Sequence, residues 1–535
     1  MSFGISLFFS FLCLVTLFIS GATFSQILIK AKIIKEIQSN INTLIFGIIL
    51  HLIFGIAISL LLKLNFNLLN GIKIALLVTL LTLLFNFIKL YKNRKVNIEV
   101  KTFSLTLVLI VVSCFMANLP AKEPLSLWDG PYVFKDWNNS VRIQRIAFDL
   151  PPDNAIPFVV GEYLVNAISF SENRPIMPGQ EVSNRPILMS LVAVPYRIMF
   201  GPSPSKILTV SKYNYVGTDW PETLKLVPNN IFNIYLGIGI ALNSLIIFAV
   251  RLLYQGYEKL KNRKVNLEIL AMVSLSPYFI LHTFFTWPKN LAAFFIITAF
   301  YYLLNHKASS PSNFYFAGLL LSLAYLSHPL SMSFMAIGVL FVVYQFFKKR
   351  KKLNELLRFV IIVSSSFLIW NYIFVYRLGL NSDIIQQSLS LNGTLGGQVW
   401  IRITNYFSIF FPKVFVLSTF DLETFLPRWM DTWISSLGPA IWLLFPYIIL
   451  KSSRDKNLVL TSLILISSLL TSSIYSTQVN PFPHGWQSAM LALIPFANYN
   501  ILRLLGTKIY LISLSSILVL NSLFLATWTY FTILR

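Results

Sequence analysis

Long apolar runs, each close to the roughly 20 residues that cross a bilayer as helix, divide this chain, and short basic clusters separate them. The runs are continuous rather than alternating, which speaks against a membrane barrel. Backbone groups inside lipid must bond within their own segment, so each run is read as a helix. The pattern predicts spans near 4–29, 41–62, 72–90, 102–119, 230–253, 266–284, 289–305, 313–327, 329–347, 357–376, 432–450, 458–475, 487–504 and 509–532. On that tracing the clusters around Lys30 to Lys35, Lys89 to Lys101, Lys259 to Lys264, Lys307, Lys348 to Lys352 and Lys451 to Lys456, with Arg503 and Lys508, share one side. That is the positive-inside pattern, which makes this side cytoplasmic. It leaves the segments 120–229 and 377–431 outside. The expected fold class is an all-α polytopic membrane protein of about 13–14 transmembrane helices, with a large outer loop carrying short amphipathic helices.

Composition agrees with this reading. A chain of 535 residues that is 56% hydrophobic and 12% charged is no soluble globule. The net charge of +23 would suit nucleic acid, but the basic residues lie between spans, so nucleic acid is not expected as a partner. In the first apolar run positive charge follows rather than precedes, so it reads as a retained span with its N-terminus outside, not as a cleaved signal. Cys13 and Cys114 each sit within an apolar run and mark no disulfide framework. The segment K-N-R-K-V-N-I-E-V at 92–100 recurs as K-N-R-K-V-N-L-E-I at 261–269, two similar loop-to-helix entries on the inner side.

The polar stretch from Pro120 to Asn229 changes the picture most. It holds 10 of the chain's 20 acids against 10 of its 43 Lys and Arg, so it is neutral inside a basic protein and is the natural place for polar chemistry. It opens with L-W-D-G-P-Y at 127–132, where Gly-Pro fixes a turn after Asp129. Trp128 and Tyr132 suit a membrane–water boundary. Asp129 is either a general base for an acceptor hydroxyl or a turn-forming residue beside an aromatic belt. Asp136, Asp149 and Asp153 are its rivals. The run from Pro186 to Phe200 is short for a span and reads as re-entrant or interfacial. Ile403 to Leu417, broken by Pro412 and Lys413, reads as a helix on the outer surface.

Several cations are candidates to hold a phosphate. Arg185 stands at the start of the short 186–200 run, as a bidentate grip or a snorkelling anchor. In F-T-W-P-K-N-L at 285–291, Pro288 begins a span from the outer side and Lys289 lies at that boundary. His328 ends a short span as a headgroup contact or a turn cap, and His484 lies in the outer turn N-P-F-P-H-G-W at 480–486. The five histidines show no zinc spacing. Phosphate-cradling loops and H-E-x-x-H are absent, and the predicted spans carry few acids, which weighs against an ion-coupled transporter.

In order along the chain, these segments resemble the GT-C superfamily of membrane glycosyltransferases, including bacterial relatives of the protein mannosyltransferases and aminoarabinose transferases. An early Asp in a long outer loop is shared. N-R-P-I-L…F-G resembles the H-P-P-L…F-G stretch that closes that loop, W-P-K-N-L-A-A-F-F resembles an outer turn often written P-E or P-K, and G-L-L-L-S-L-A-Y-L-S-H-P resembles a G-L-x-x-G-L-A…K-P segment. Asn184 and Arg185 stand where His-Pro is common, and Asp129 is a lone acid rather than an Asp-Glu pair. The resemblance covers residues 102–505, leaving 1–101 as added N-terminal helices and 506–535 as a C-terminal helix. It implies an inverting transfer from a polyprenyl-phosphate sugar donor, at the outer face of a bacterial plasma membrane, to a glycan, lipid or protein acceptor. Asp129, or Asp136, would act on the acceptor hydroxyl. Arg185, Lys289, His328, Arg377, Arg402 and His484 would contact donor or acceptor. A divalent metal, Mg or Mn, is left open as a cofactor, with no metal ligand assigned. The alternative is a transporter or flippase of a lipid-linked or small polar solute.

Overall fold

The computed structural model describes residues 2–31, 40–93, 98–119, 156–167, 187–203, 229–252, 267–286, 288–305, 311–348 and 352–372, with isolated positions between 399 and 526. Among the described residues the regular structure is helical and no strand occurs. The helices are α1 (Ser2–Lys30), α2 (Asn40–Leu64), α3 (Leu69–Lys92), α4 (Val100–Ala117), α5 (Ile156–Val165), α6 (Leu188–Phe200) and α7 (Asn229–Ser244). They continue with α8 (Leu267–Ser274), α9 (Pro277–Phe284), α10 (Lys289–Asn305), α11 (Pro311–Ser327), α12 (Met332–Phe347) and α13 (Leu353–Trp370). Among the described residues, six segments are long and apolar enough to cross a membrane: α1, α2, α3 with the 3-10 turn before it, α4, Ile231–Leu252 and α13. The protein is a multi-pass membrane protein.

Burial separates the centre of the bundle from its rim. The apolar stretch of Ile231–Leu252 is buried throughout, whereas α3 buries about a tenth of its own. Ile74, Leu77, Val78, Leu81 and Phe85 of α3 point outward. Such a face would be untenable in water but matches acyl chains, which are as apolar as leucine. Around α7 pack α1, α4, α5, α6, α9 and α10.

Small residues set how closely these helices approach. A Cβ on Gly21 would run into the Thr43 carbonyl, and one on Gly47 into that of Leu17. Reciprocal glycine contacts of this kind let two membrane helices pack backbone to backbone. The pairs Gly21/Thr43 and Gly47/Leu17 make α1 and α2 antiparallel. On the other side of α1, Ser6 Oγ donates to Asn233 Oδ1 at 3.4 Å and Ser10 Oγ to the Gly237 carbonyl at 2.8 Å. These contacts advance together along both chains, so α1 and α7 run the same way. α4 opposes the segment Ile231–Leu252 that extends α7: Arg251 Nε donates to Glu99 Oε1 at 2.6 Å and the Phe103 and Phe248 rings meet at 5.0 Å. The C-terminal end of α4 and the N-terminal end of α7 therefore share one end of the bundle, which is where the polar stretch between them begins and finishes.

The predicted spans near 4–29, 41–62, 72–90, 102–119, 230–253 and 357–376 match α1 to α4, Ile231–Leu252 and α13 within a few residues. The span expected near 266–284 is instead two eight-residue helices, α8 and α9, broken at Leu275 and Ser276. Pro277 causes the break, since it lacks the N–H that would continue the ladder. The run from Pro186 to Phe200, expected to be re-entrant or interfacial, is helix α6, and every residue from Leu188 to Ile198 is buried. An interfacial helix would leave one apolar face for lipid, so α6, packed within the bundle, is not interfacial. The four spans expected beyond residue 431, and the surface helix expected at 403–417, lie outside the described residues apart from isolated helical positions.

Candidate functional site

Among the described residues, two of the polar clusters inside this apolar bundle hold a buried charged side chain. The first is an ion pair at α5 and α6. In I-P-F-V-V-G-E-Y-L-V a lone carboxylate, Glu162, sits on an apolar helix, and in L-M-S-L-V-A-V-P-Y-R-I-M-F a lone cation, Arg197, does the same. Both are 2% exposed. Charges removed from water this completely persist only when paired and hydrogen-bonded. Arg197 grips Glu162 with two nitrogens, Nε to Oε1 at 2.7 Å and Nη2 to Oε2 at 3.1 Å. Tyr235 Oη donates to Oε1 at 3.0 Å and Asn166 Nδ2 to Oε2 at 3.2 Å. The remaining Arg197 nitrogen, Nη1, donates to the Pro202 carbonyl at 2.6 Å. Gly161 makes room for this, because a Cβ there would strike the Tyr235 ring. Both carboxylate oxygens hold two donors each, so Glu162 is a fixed anchor. Tyr163 beside it is also buried, and burial pushes its phenol up to about 12, leaving it neutral.

The second centre is the turn between α9 and α10, the W-P-K-N segment. It was expected at an outer boundary. The structure encloses it: Phe285, Thr286, Lys289 and Asn290 are buried, Lys289 at 1% exposure. Asn243, about halfway along Ile231–Leu252, holds the turn. Its Oδ1 accepts the Leu291 N–H at 3.1 Å, and its Nδ2 faces the carbonyls of Thr283 and Phe285 at 3.4 and 3.3 Å. Asn243 thus satisfies groups that the helix break leaves without intrahelical partners. By helix rise the turn lies roughly 18 Å from the Ile231 end of α7. Irregular backbone at such depth is tolerated only where protein or a polar cavity surrounds it.

Lys289 is the first residue of α10, and its Nζ stands 4.6 Å from the centre of the Phe285 ring. A cation over an aromatic face gains electrostatic stabilisation when desolvated. Next to it, Asn290 Nδ2 points at the Phe279 carbonyl at 3.3 Å and at Thr283 Oγ1 at 3.2 Å. Thr283 gives its own proton to the Phe279 carbonyl at 2.6 Å, so both groups facing the Asn290 nitrogen are acceptors. This fixes the amide orientation and leaves Asn290 Oδ1 buried without a partner. An unmatched buried acceptor costs about 1–3 kcal/mol. Ser276 Oγ, at the break between α8 and α9, is also buried without a hydrogen-bond partner.

An open groove lies between α1, α2, α3 and α6, with Leu12, Phe54, Leu80, Leu83 and Met199 among its walls. Its polar members are satisfied. His51 Nδ1 donates to the Gly47 carbonyl at 2.9 Å, and Nε2 accepts from Tyr196 Oη at 3.0 Å, a single neutral tautomer. Thr16 meets the same hydroxyl. The groove walls are mostly hydrocarbon.

Of the residues singled out from the sequence, Lys289 and His328 fall within the described residues. α10 and α11 form a hairpin across the five residues 306–310, so the start of α10 and the end of α11 share one end of it. His328 is buried, its N–H donates to the Ala324 carbonyl at 2.9 Å, and its carbonyl accepts the Ser331 N–H at 3.0 Å, which makes its backbone the cap of α11. Asp129, Asp136, Arg185, Arg377, Arg402 and His484 lie outside the described residues. Among the described residues no three His, Cys, Asp or Glu side chains converge on a metal-sized site. Glu162, Arg197, Asn243 and Asn290 were not singled out. The signal for the first two was a lone charge in each of two short apolar helices, opposite in sign. No family model, curated protein or solved structure matches this chain.

Proposed function

We propose that this protein transfers a sugar from a polyprenyl-phosphate donor to a glycan, lipid or protein acceptor at the outer face of the membrane. The observation that carries the reading is Lys289, a cation buried at the first residue of α10 inside an apolar bundle. A helix N-terminus and a lysine together favour a phosphate. Such a charge is strongest where water is excluded, which is where stabilising a leaving group counts most. In this reading the acceptor oxygen attacks the anomeric carbon as the sugar–phosphate bond breaks. The electron pair leaves on the lipid phosphate, facing Lys289. The acceptor proton passes to the Asp129 carboxylate, with Asp136 the alternative base. Inversion at the anomeric carbon follows from a single displacement. The lipid-facing surfaces of the spans would hold the isoprenoid tail.

The experiment is transfer from radiolabelled polyprenyl-phosphate hexoses in membranes enriched in the protein. Wild type should label an endogenous acceptor, Asp129→Asn should abolish labelling, and Lys289→Met should reduce it at least tenfold. Full labelling by Lys289→Met would remove the observation on which the reading stands.

A transporter is the second reading, and the broken α8–α9–α10 segment favours it, because discontinuous helices form midplane sites in transporters. It predicts movement of a lipid-linked or polar solute without loss of its sugar.

A further inference from the structure

We infer that the groove between α1, α2, α3 and α6 seats one acyl chain of a bilayer phospholipid, which completes the packing of α3. That helix is held to the bundle at two points. Near its start Ile72, the one buried residue of α3, packs with Ile58, Leu62 and Ile198. Towards its end the Leu83 carbonyl lies 3.4 Å from Thr23 Oγ1, and the Phe87 ring meets that of Phe18 at 6.1 Å. Between these points Leu76, Thr79 and Leu80 line the groove on one side, and Leu12, Phe54 and Met199 are among the walls supplied by α1, α2 and α6. From Ile72 to Leu83 the helix rises about 16 Å, close to half of a hydrocarbon core roughly 30 Å thick, which is the depth of one leaflet's chains. Among the described residues no Lys, Arg, Asp or Glu lines the groove, so it offers a lipid phosphate no counter-charge. His51, Tyr196, Thr16 and Ser20 bond to one another or to backbone carbonyls, so they ask a ligand for nothing beyond hydrocarbon contact. The groove is continuous with the lipid-facing surface, because the other side of the same helix exposes Ile74, Leu77, Val78, Leu81 and Phe85. Phospholipid is therefore the medium at its mouth. A gap left unfilled there would forfeit dispersion contacts along both walls, and water would find no free polar partner in it. The inference is independent of the proposed sugar transfer.

The test places the full chain in nanodiscs of phosphatidylethanolamine and phosphatidylglycerol, with a trace of phosphatidylglycerol carrying a diazirine midway along one acyl chain. Photo-adducts are then mapped by peptide mass spectrometry. Adducts on Leu76, Leu80 and Met199 should outnumber those on Leu77, Leu81 and Phe85 about tenfold per residue, which corresponds to about 1.4 kcal/mol of preference over bulk lipid. Leu80→Trp, which fills the groove, should abolish the groove adducts and leave those on the outward face of α3 unchanged. Thr79→Phe should do the same and covers the case in which the tryptophan variant fails to fold. Equal labelling of both faces of α3 in wild type, or groove adducts that survive both substitutions, overturns the inference. Removal of the groove adducts by unlabelled polyisoprenyl phosphate but not by unlabelled phosphatidylglycerol overturns it too, because the groove would then belong to an isoprenoid chain.

Discussion

Glu162→Gln should cost the folded protein about 3–5 kcal/mol, the usual penalty for removing one member of a buried ion pair. The structure explains why the loss would be near the top of the scale. Arg197 would stay at 2% exposure with its charge uncompensated, held only by the Pro202 carbonyl at 2.6 Å. Glutamine also brings a donor where Tyr235 Oη, Asn166 Nδ2 and two guanidinium nitrogens all seek an acceptor. Arg197→Met should cost a similar amount, because it strands the carboxylate. The double variant Glu162→Leu with Arg197→Met should recover most of the loss, since a buried pair replaced by apolar groups of like volume is often close to neutral. The coupling between the two positions should reach at least about 2 kcal/mol. Equilibrium unfolding of the four proteins in mixed micelles measures it. Single variants within about 1 kcal/mol of wild type, or a double variant equal to the sum of the singles, would refute the reasoning.

Gly47→Leu should prevent α1 and α2 from closing, because the new side chain meets the Leu17 backbone; loss of monodisperse protein in detergent checks this, and Gly4→Ala, in open space, is the control. Glu99→Gln should cost no more than about 1 kcal/mol, since that ion pair is partly exposed at the end of α4, and added salt should shrink the difference. Asn243→Leu should destabilise by roughly 2–4 kcal/mol, because it strands the Leu291 N–H and two carbonyls in the enclosed turn, read by the same unfolding assay. Tyr235→Phe should cost about 1–2 kcal/mol, since Glu162 keeps its arginine when the phenol is lost.

How much of this was legible in the chain depended on whether local pattern decided it. The first four spans, α7 and α13 are long, continuous and apolar, so hydropathy alone placed them. Relative directions followed too, because basic clusters alternate with the spans and the contacts Ser10/Gly237 and Arg251/Glu99 agree with that alternation. The α9–α10 turn misled, because T-W-P-K-N reads as a polar boundary. What encloses it is Asn243, more than forty residues earlier, and no local pattern announces that partner. Glu162 and Arg197 were hidden for a similar reason. They lie in a stretch whose balanced charge suggested a solvated loop, and their burial depends on a pairing 35 residues apart that also needs Tyr235 from α7. Asn290 was invisible because an unmatched amide oxygen is a fact of three dimensions. The early acid Asp129 rests on its sequence context.

The most direct measurement is a glycan and glycolipid comparison of cells lacking this gene, complemented with wild type, with Asp129→Asn or with Lys289→Met. The account predicts that a sugar disappears from a surface glycan or glycolipid in the deletion and returns with wild type alone. Restoration by Lys289→Met, or a deletion whose surface glycans and glycolipids are unchanged, would contradict it.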